Sequence, residues 1–138
     1  MSRETASAGG HMPKKQAPGL KRILKAGVYS MKGFKAGLAN EAAIRQEMAL
    51  AVVLTIVAFF IATDLVSLLL LIVFPWLTVV VELLNSAVEA VVDRIGTEWN
   101  ELSGRAKDLG SAAVFVLLCL NVLVWGAIVL KRFGLINF

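Results

Sequence analysis

One uncharged, apolar run decides the fold: residues 65–81, LVSLLLLIVFPWLTVVV. Two more runs without a charged side chain flank it, at 48–63 and 109–130. They explain why 58% of this 138-residue chain is hydrophobic, against roughly 45 to 50% in soluble proteins. Because lipid offers no partners to backbone N–H and C=O groups, runs of this length must cross it as helices. The sequence therefore predicts an all-α membrane protein with three transmembrane helices, at about 48–63, 65–92 and 109–130.

The polar stretches outside these spans divide the chain further. Residues 1–19 are rich in Ala, Gly, Pro and Lys, so we predict a disordered tail, and Gly-Gly-His-Met at 9–12 resembles a tagging remnant. Residues 20–47 repeat apolar side chains at steps of three and four between lysines and arginines, which predicts an amphipathic helix on the membrane surface. Residues 20–138 would then form one membrane domain.

The distribution of positive charge predicts the topology. Twelve of the 14 Lys and Arg residues either precede the first span or lie between the second and third. By the positive-inside rule, the N-terminus and the loop at 93–108 are cytoplasmic. Asp64 alone separates the first two spans, so we predict an antiparallel hairpin with Thr63 or Asp64 as the cap of the second span.

Three side chains inside the spans receive structural interpretations. Pro75 is predicted to kink the second span, and a proline that a membrane helix tolerates is preferred to a functional use of the kink. Asn121 is read as a hydrogen bond between helices. Trp125 lies near the outer boundary by residue counting, so anchoring in the interface competes with substrate contact.

Charged side chains reappear at the end of the second span, in ELLNSAVEAVVDR at 82–94. At about 100° per residue, Glu82, Asn85, Glu89 and Asp93 share one narrow face of the helix. Residue counting puts Glu82 just inside the bilayer boundary, where an unpaired carboxylate costs on the order of 2.5 to 3.5 kcal/mol. This position favours a functional role for Glu82 over a passive one.

Two other polar clusters reach the same level of the membrane, one before the first span and one before the third. Carboxylates suit Mg²⁺, a lysine suits phosphates, and a partly desolvated glutamate suits a general base, which together favour phosphoryl transfer from ATP to a lipid hydroxyl. Composition alone does not choose that reaction over ion transport. A proton-coupled transporter built on Glu82 and a non-catalytic scaffold therefore remain alternatives. The two clusters contain Asn40, Glu41, Arg45, Gln46 and Glu47, and Lys107, Asp108 and Ser111.

Four longer motifs carry a resemblance to a known family: KRILKAGVYSMKG at 21–33, NEAAIRQE at 40–47, ELLNSAVEAVVDRIG at 82–96 and ELSGRAKDLGSAA at 101–113. Together they closely resemble the small bacterial integral-membrane diacylglycerol kinases. The resemblance implies a homotrimer with active sites at subunit contacts. It also implies ATP and Mg²⁺ as cofactors, diacylglycerol as substrate, phosphatidic acid as product, the bacterial inner membrane as location, and no nucleic-acid partner.

The same resemblance assigns roles to residues. Glu82 would take the proton from the diacylglycerol hydroxyl, Asn85 would order the catalytic centre, and Glu41 with Glu89 would hold the metal ions on the ATP phosphates. Positions that match nucleotide contacts are Arg22, Tyr29, Glu98, Asn100, Lys107 and Asp108. Positions that match the lipid side are Gln46, Glu47, Ser111 and Trp125.

The chain also departs from the family pattern. Met31 and Leu38 stand where tryptophans are expected, and Trp99-Asn100 replaces a tyrosine-histidine pair. A related branch phosphorylates undecaprenol. The residues at 103–106 and Gly110-Ser111 favour the diacylglycerol branch, with undecaprenol kinase kept as the alternative.

Overall fold

The computed structural model describes residues 19–96 and 98–137, and each regular element within them is an α-helix. The last three of the four helices are long and apolar enough to cross a membrane. The predicted all-α, multi-pass membrane fold is therefore confirmed, whereas the predicted tail at 1–19 lies outside the described residues except for Gly19, which begins the first helix. The helices are α1 (Gly19–Asn40), α2 (Ala42–Ile61), α3 (Leu65–Ile95) and α4 (Glu101–Arg132).

The described chain comprises two compact parts, one ending at Gly33 and one beginning at Phe34. The first part is the N-terminal stretch of α1, in which every described side chain is exposed. Within it the Lys32 ammonium lies 5.9 Å from the centre of the Tyr29 ring, a cation–π contact. Its alternation of apolar and basic side chains is typical of a surface helix, and its location on the membrane stays a prediction.

The helix predicted over 20–47 is interrupted at Glu41. This residue has an extended backbone, with φ −109° and ψ 118°, and occupies the N-cap position of α2. The Arg45 guanidinium donates to the carbonyls of Leu38 and Ala39 at 3.1 and 3.4 Å. These bonds satisfy groups that the last turn of α1 leaves free, which stabilises the break. The helix that carries the first span consequently begins at Ala42, ahead of the uncharged run at 48–63.

The helix α3 occupies the centre of the second part. It packs against both α2 and α4, which contact each other only sparsely. Most other large apolar side chains of the three helices are exposed, which suits lipid or neighbouring subunits but not water. The fully or nearly buried apolar residues are Ile44, Ala51, Ala58, Leu71, Pro75, Val79 and Leu117.

Asp64 begins α3 with a reciprocal cap. Its carboxylate accepts a hydrogen bond from the Ser67 N–H at 2.9 Å, and the Ser67 hydroxyl accepts one from the Asp64 N–H at 3.1 Å. The hydrogen bond from the Ser67 backbone, together with that from the Thr63 hydroxyl, holds the pKa of Asp64 below its usual range. The predicted hairpin cap is confirmed, and it falls at Asp64.

Two helix ends lie further from the membrane core than hydropathy indicates. The helix α3 continues to Ile95 instead of residue 92, and α4 begins at Glu101 instead of 109. Asn100 accounts for the early start of α4, because its Oδ1 accepts hydrogen bonds from the N–H groups of Leu102 and Ser103 at 2.9 and 3.2 Å. Hydropathy marks the span, whereas capping decides where a helix begins.

Uncharged polar side chains join α3 to both neighbours around Pro75. The Asn121 amide donates to the Thr78 hydroxyl at 2.7 Å, and on the other side the Trp76 indole N–H donates to the Thr55 hydroxyl at 3.0 Å. We name Thr55, Trp76, Thr78 and Asn121 the neutral clasp. The predicted interhelical role of Asn121 is confirmed, and Pro75 lies within a continuous α3.

Candidate active site

Three glutamates act electrostatically on Glu82, at the end of the bundle where α2 begins and α3 nears its C-terminal end, and we name the four the glutamate cluster. Glu82 is only 7% exposed and lies within the electrostatic reach of Glu47, Glu89 and Glu41. Within residues 19–96 and 98–137, the sole ion pair joins two other residues, so Glu82 has no cationic partner there. One end of the helix bundle therefore concentrates negative charge from two helices around a buried carboxylate.

The predicted polar face of α3 is held together by a side-chain hydrogen bond. Asn85 is 8% exposed, and its Nδ2 donates to Glu89 Oε1 at 3.1 Å. The Asn85 Oδ1 atom is buried and has no hydrogen-bond partner in the described part of the chain. One helical turn beyond Glu89, Asp93 continues the same face. Glu89 is thus bound by Asn85 through one oxygen, which leaves Oε2 to another ligand.

Lys107 brings a positive charge from α4 to this face. Its Nζ lies 2.5 Å from Asp93 Oδ1, and the negative charge of Glu89 also acts on it. The Lys107 side chain is 38% exposed, so its ammonium is both oriented by carboxylates and open to a further anion. A cation in this position suits the phosphates of a nucleotide.

The helices α3 and α4 approach each other closely at Gly110. A Cβ atom on Gly110 would overlap Asn85 Oδ1 and lie 3.2 Å from Asn85 Cγ. The sequence indicated Gly110 only as part of a family motif and not as a neighbour of Asn85. The available signal was a glycine inside a helix, which costs roughly 0.5 to 1 kcal/mol relative to alanine and is suited to close backbone approach.

The oxygen donors at this end of the bundle fit Mg²⁺. Glu41 forms no side-chain hydrogen bond to cap α2, although it occupies the capping position, so its carboxylate stays available. Mg²⁺ commonly binds through one or two carboxylates, with water and substrate phosphates as its other ligands. No three Asp, Glu, His or Cys side chains converge as a ready-made cluster among the described residues. A Mg²⁺ ion held here would need water or phosphate oxygens to complete its coordination.

Predicted nucleotide contacts lie in two further places. Glu98 and Asn100 line an open pocket in the loop between α3 and α4, beside Trp99, which is 89% exposed. Asp108 is exposed next to Lys107.

Arg22 and Tyr29 belong to the other compact part, the N-terminal stretch of α1. Both are exposed there.

The structure brings together two of the four predicted lipid-side residues. Glu47 and Trp125 line a cavity of about 260 Å³ between α2, α3 and α4, whose other walls are largely apolar. The Trp125 indole N–H is buried without a hydrogen-bond partner in the described chain. Gln46 and Ser111 are exposed and do not line this cavity. Glu47 thus lines this cavity and also lies within the electrostatic reach of Glu82.

Comparison with known proteins identifies the family. Residues 28–129 match the sequence model of prokaryotic diacylglycerol kinase. The chain is 47% identical over 116 residues to the diacylglycerol kinase of Escherichia coli, which covers 84% of this chain and 95% of that one. It is 49% identical over 110 residues to that of Haemophilus influenzae (80% and 93%) and 48% identical over 118 residues to that of Pseudomonas aeruginosa (86% and 96%). The chain belongs to the prokaryotic diacylglycerol kinase family.

Family membership confirms the resemblance drawn from the four sequence motifs. The three relatives are all named diacylglycerol kinases, so neither an undecaprenol kinase nor a proton-coupled transporter is favoured. The roles of individual site residues stay predictions.

Proposed function

We propose that the protein is an ATP-dependent diacylglycerol kinase, which converts sn-1,2-diacylglycerol and ATP into phosphatidic acid and ADP. The observation that supports this proposal most is the glutamate cluster around buried Glu82 in a member of this family. Lys107 lies at the same face of α3, where it pairs with Asp93. Such a cluster destabilises a membrane protein unless its carboxylates bind ligands or take part in a reaction.

Glu82 is the proposed general base. Its carboxylate accepts the proton of the lipid hydroxyl while that oxygen forms a bond to the γ-phosphorus. The bond between the γ-phosphorus and the β–γ bridging oxygen breaks, and ADP leaves with that oxygen. Burial supports this role, because a desolvated carboxylate without a cationic partner is suited to accept a proton.

The remaining groups position the phosphates and neutralise their charge. Glu41 and Glu89 would hold Mg²⁺, and Asn85 keeps Glu89 oriented through its hydrogen bond. The bound Mg²⁺ would supply positive charge to the transferring phosphoryl group. Lys107, steadied by Asp93, is the proposed protein ligand of the phosphates. Phosphoryl transfer needs mainly positioning and charge neutralisation, which these residues are suited to provide.

The lipid is proposed to approach through the cavity that Glu47 and Trp125 line. Gln46 and Ser111 stay predicted lipid contacts, and residues 20–138 stay the predicted membrane kinase domain. The other predicted nucleotide contacts are Arg22, Tyr29, Glu98, Asn100 and Asp108.

The membrane arrangement is part of the same proposal. The N-terminus and the loop at 93–108 face the cytoplasm, where ATP is found, and the protein lies in the bacterial inner membrane. A homotrimer is supported by the large apolar side chains that α4 exposes, such as Phe115 and Val122, which suit contacts with lipid and with neighbouring copies.

A micelle assay tests the proposed reaction. Purified protein receives ATP and Mg²⁺ with either diacylglycerol or undecaprenol in mixed micelles. We expect phosphatidic acid from the first lipid and far less product from the second. Folded protein that leaves diacylglycerol unphosphorylated would contradict the proposal. Proton-coupled flux in sealed vesicles without ATP would instead support a transporter.

A further inference from the structure

We propose that Gly110 is a positioning residue of this site, because its missing side chain sets the orientation of the Asn85 amide and, through it, the Glu89 carboxylate. The inference rests on the proposed function, to which it adds a residue that none of the predicted roles includes. Gly110 lies on α4, whereas Asn85 and Glu89 lie one turn apart on α3.

The contact between the two helices leaves no room for a methyl group at position 110. A Cβ there would overlap Asn85 Oδ1 and lie 3.2 Å from Asn85 Cγ, which is tighter than ordinary van der Waals contact. Rotating the amide about its last bond does not relieve this, because Cγ stays in place and the nitrogen takes the position of the oxygen. Asn85 is also buried, so it has no open path into solvent. The amide would therefore have to shift, and the shift moves Nδ2 away from Glu89.

The present orientation of the Asn85 amide is the one that binds Glu89. With Oδ1 against Gly110, Nδ2 points to Glu89 Oε1 and donates a hydrogen bond of 3.1 Å. The reverse orientation would put the amide oxygen against a carboxylate, which is repulsive. Since Oδ1 itself has no hydrogen-bond partner in the described chain, steric fit against Gly110 and the bond to Glu89 together hold the amide. Withdrawing Asn85 therefore frees Glu89 from its only side-chain hydrogen bond in the described residues.

Gly110→Ala tests the proposal with a change of one methyl group. We expect kcat to fall on the order of tenfold to a hundredfold, as for the loss of a hydrogen bond to a charged group, while KM for diacylglycerol stays close to the wild-type value. Gly126→Ala is the matched control, because it lies on the same helix and its added Cβ meets no atom within 4 Å. We expect it to keep wild-type kcat. Alanine favours helix, so loss of α4 is not the expected cause of the defect.

A second measurement reads the metal site without turnover. Mn²⁺ affinity is measured by electron paramagnetic resonance in the presence of a non-hydrolysable ATP analogue. We expect Gly110→Ala to weaken Mn²⁺ binding about tenfold, the loss of one such hydrogen bond, and Gly126→Ala to leave it unchanged.

The double variant decides whether Gly110 acts through Asn85. In an Asn85→Ala background the added methyl meets no amide, so Gly110→Ala should cause no further loss of Mn²⁺ affinity. An equal loss in both backgrounds, or no loss in the wild-type background, would overturn the inference. Wild-type protein that binds Mn²⁺ and the analogue but does not phosphorylate diacylglycerol would refute the proposed function and leave this coupling measurable.

Discussion

Two polar regions of α3 lie one helical turn apart, from Thr78 to Glu82, and they differ in charge and in pairing. The neutral clasp contains no charged group, and its hydroxyl and indole groups are paired across helices, as in the bond from Trp76 to Thr55. The glutamate cluster contains buried Glu82 and the three carboxylates that act on it, and the Asn85 amide oxygen beside it has no partner in the described chain. The Asn121 amide oxygen, also unpaired in the described chain, is the exception within the clasp.

The difference between the two regions shows how to distinguish polar residues that stabilise a membrane protein from polar residues that bind its ligands. A neutral group that is paired across helices costs little to bury and stabilises packing. A buried carboxylate that feels the charge of three others costs far more, which favours ligands that arrive from outside the chain. The two regions should therefore respond to mutation in opposite ways, with activity lost from one and stability lost from the other.

Among the four substitutions that follow, the largest loss of activity is expected at the proposed metal ligands. Glu89→Gln should lower the rate at least about a hundredfold and raise the Mg²⁺ concentration that gives half of the maximal rate, because a neutral amide replaces a carboxylate ligand. Initial rates over a Mg²⁺ titration measure both. Glu101→Gln, at an exposed glutamate that starts α4, is the control and should follow the wild type. An unchanged Mg²⁺ dependence in Glu89→Gln would remove Glu89 from the metal site.

A smaller effect is expected where Asp93 holds Lys107. Asp93→Asn should raise KM for ATP about tenfold and lower kcat less, since the ammonium loses the carboxylate that orients it. Steady-state kinetics with varied ATP separate the two parameters. In a Lys107→Met background the same substitution should have no further effect on KM. Independent losses would show that Asp93 acts through another group.

Breaking the neutral clasp should affect stability and not chemistry. Thr55→Val keeps the side-chain shape and removes the acceptor of the Trp76 indole N–H. We expect the free energy of unfolding to fall by about 0.6 to 1.7 kcal/mol, the range for hydrogen bonds between membrane helices. Denaturant titration in micelles measures it, and kcat should stay at the wild-type value. A strong loss of kcat at full stability would contradict the distinction between the regions.

The smallest effect is expected at the hairpin between α2 and α3. The pKa of Asp64 is lowered by its hydrogen bonds, so its stabilisation is complete above the ordinary value of 3.8 and is lost as pH falls through the lowered pKa. Wild-type unfolding should therefore become easier below about pH 4, whereas Asp64→Asn should lack this part of the pH dependence. Unfolding titrations at neutral and acidic pH compare the two. Identical pH profiles would exclude a contribution from the cap.

Much of the fold could be predicted because charge-free runs mark spans directly. The three spans, the cap at Asp64 and the interhelical bond of Asn121 follow from uncharged length, from one acidic residue in a tight connection, and from an amide inside an apolar helix. The break at Glu41 could not be predicted, because it depends on Arg45 reaching back to carbonyls of α1. Residues 38–45 contain neither a proline nor a glycine that would mark the break.

The candidate site was predictable as a set of residues on one face but not as a set of contacts. Helical periodicity alone aligns Glu82, Asn85 and Glu89 on α3, and this alignment does not depend on how α4 packs. The contact of Gly110 with Asn85 and the ion pair of Lys107 with Asp93 depend on how α4 packs against α3, which periodicity does not specify.

The most direct test compares two isosteric substitutions at membrane depth, Glu82→Gln and Thr55→Val. We predict that Glu82→Gln folds in micelles but that its kcat falls by a factor of about 10² to 10⁴, which is the contribution of a general base. Thr55→Val should keep its kcat and lose stability. Glu82→Gln protein that phosphorylates diacylglycerol at the wild-type rate would contradict the assignment of the buried carboxylate to catalysis.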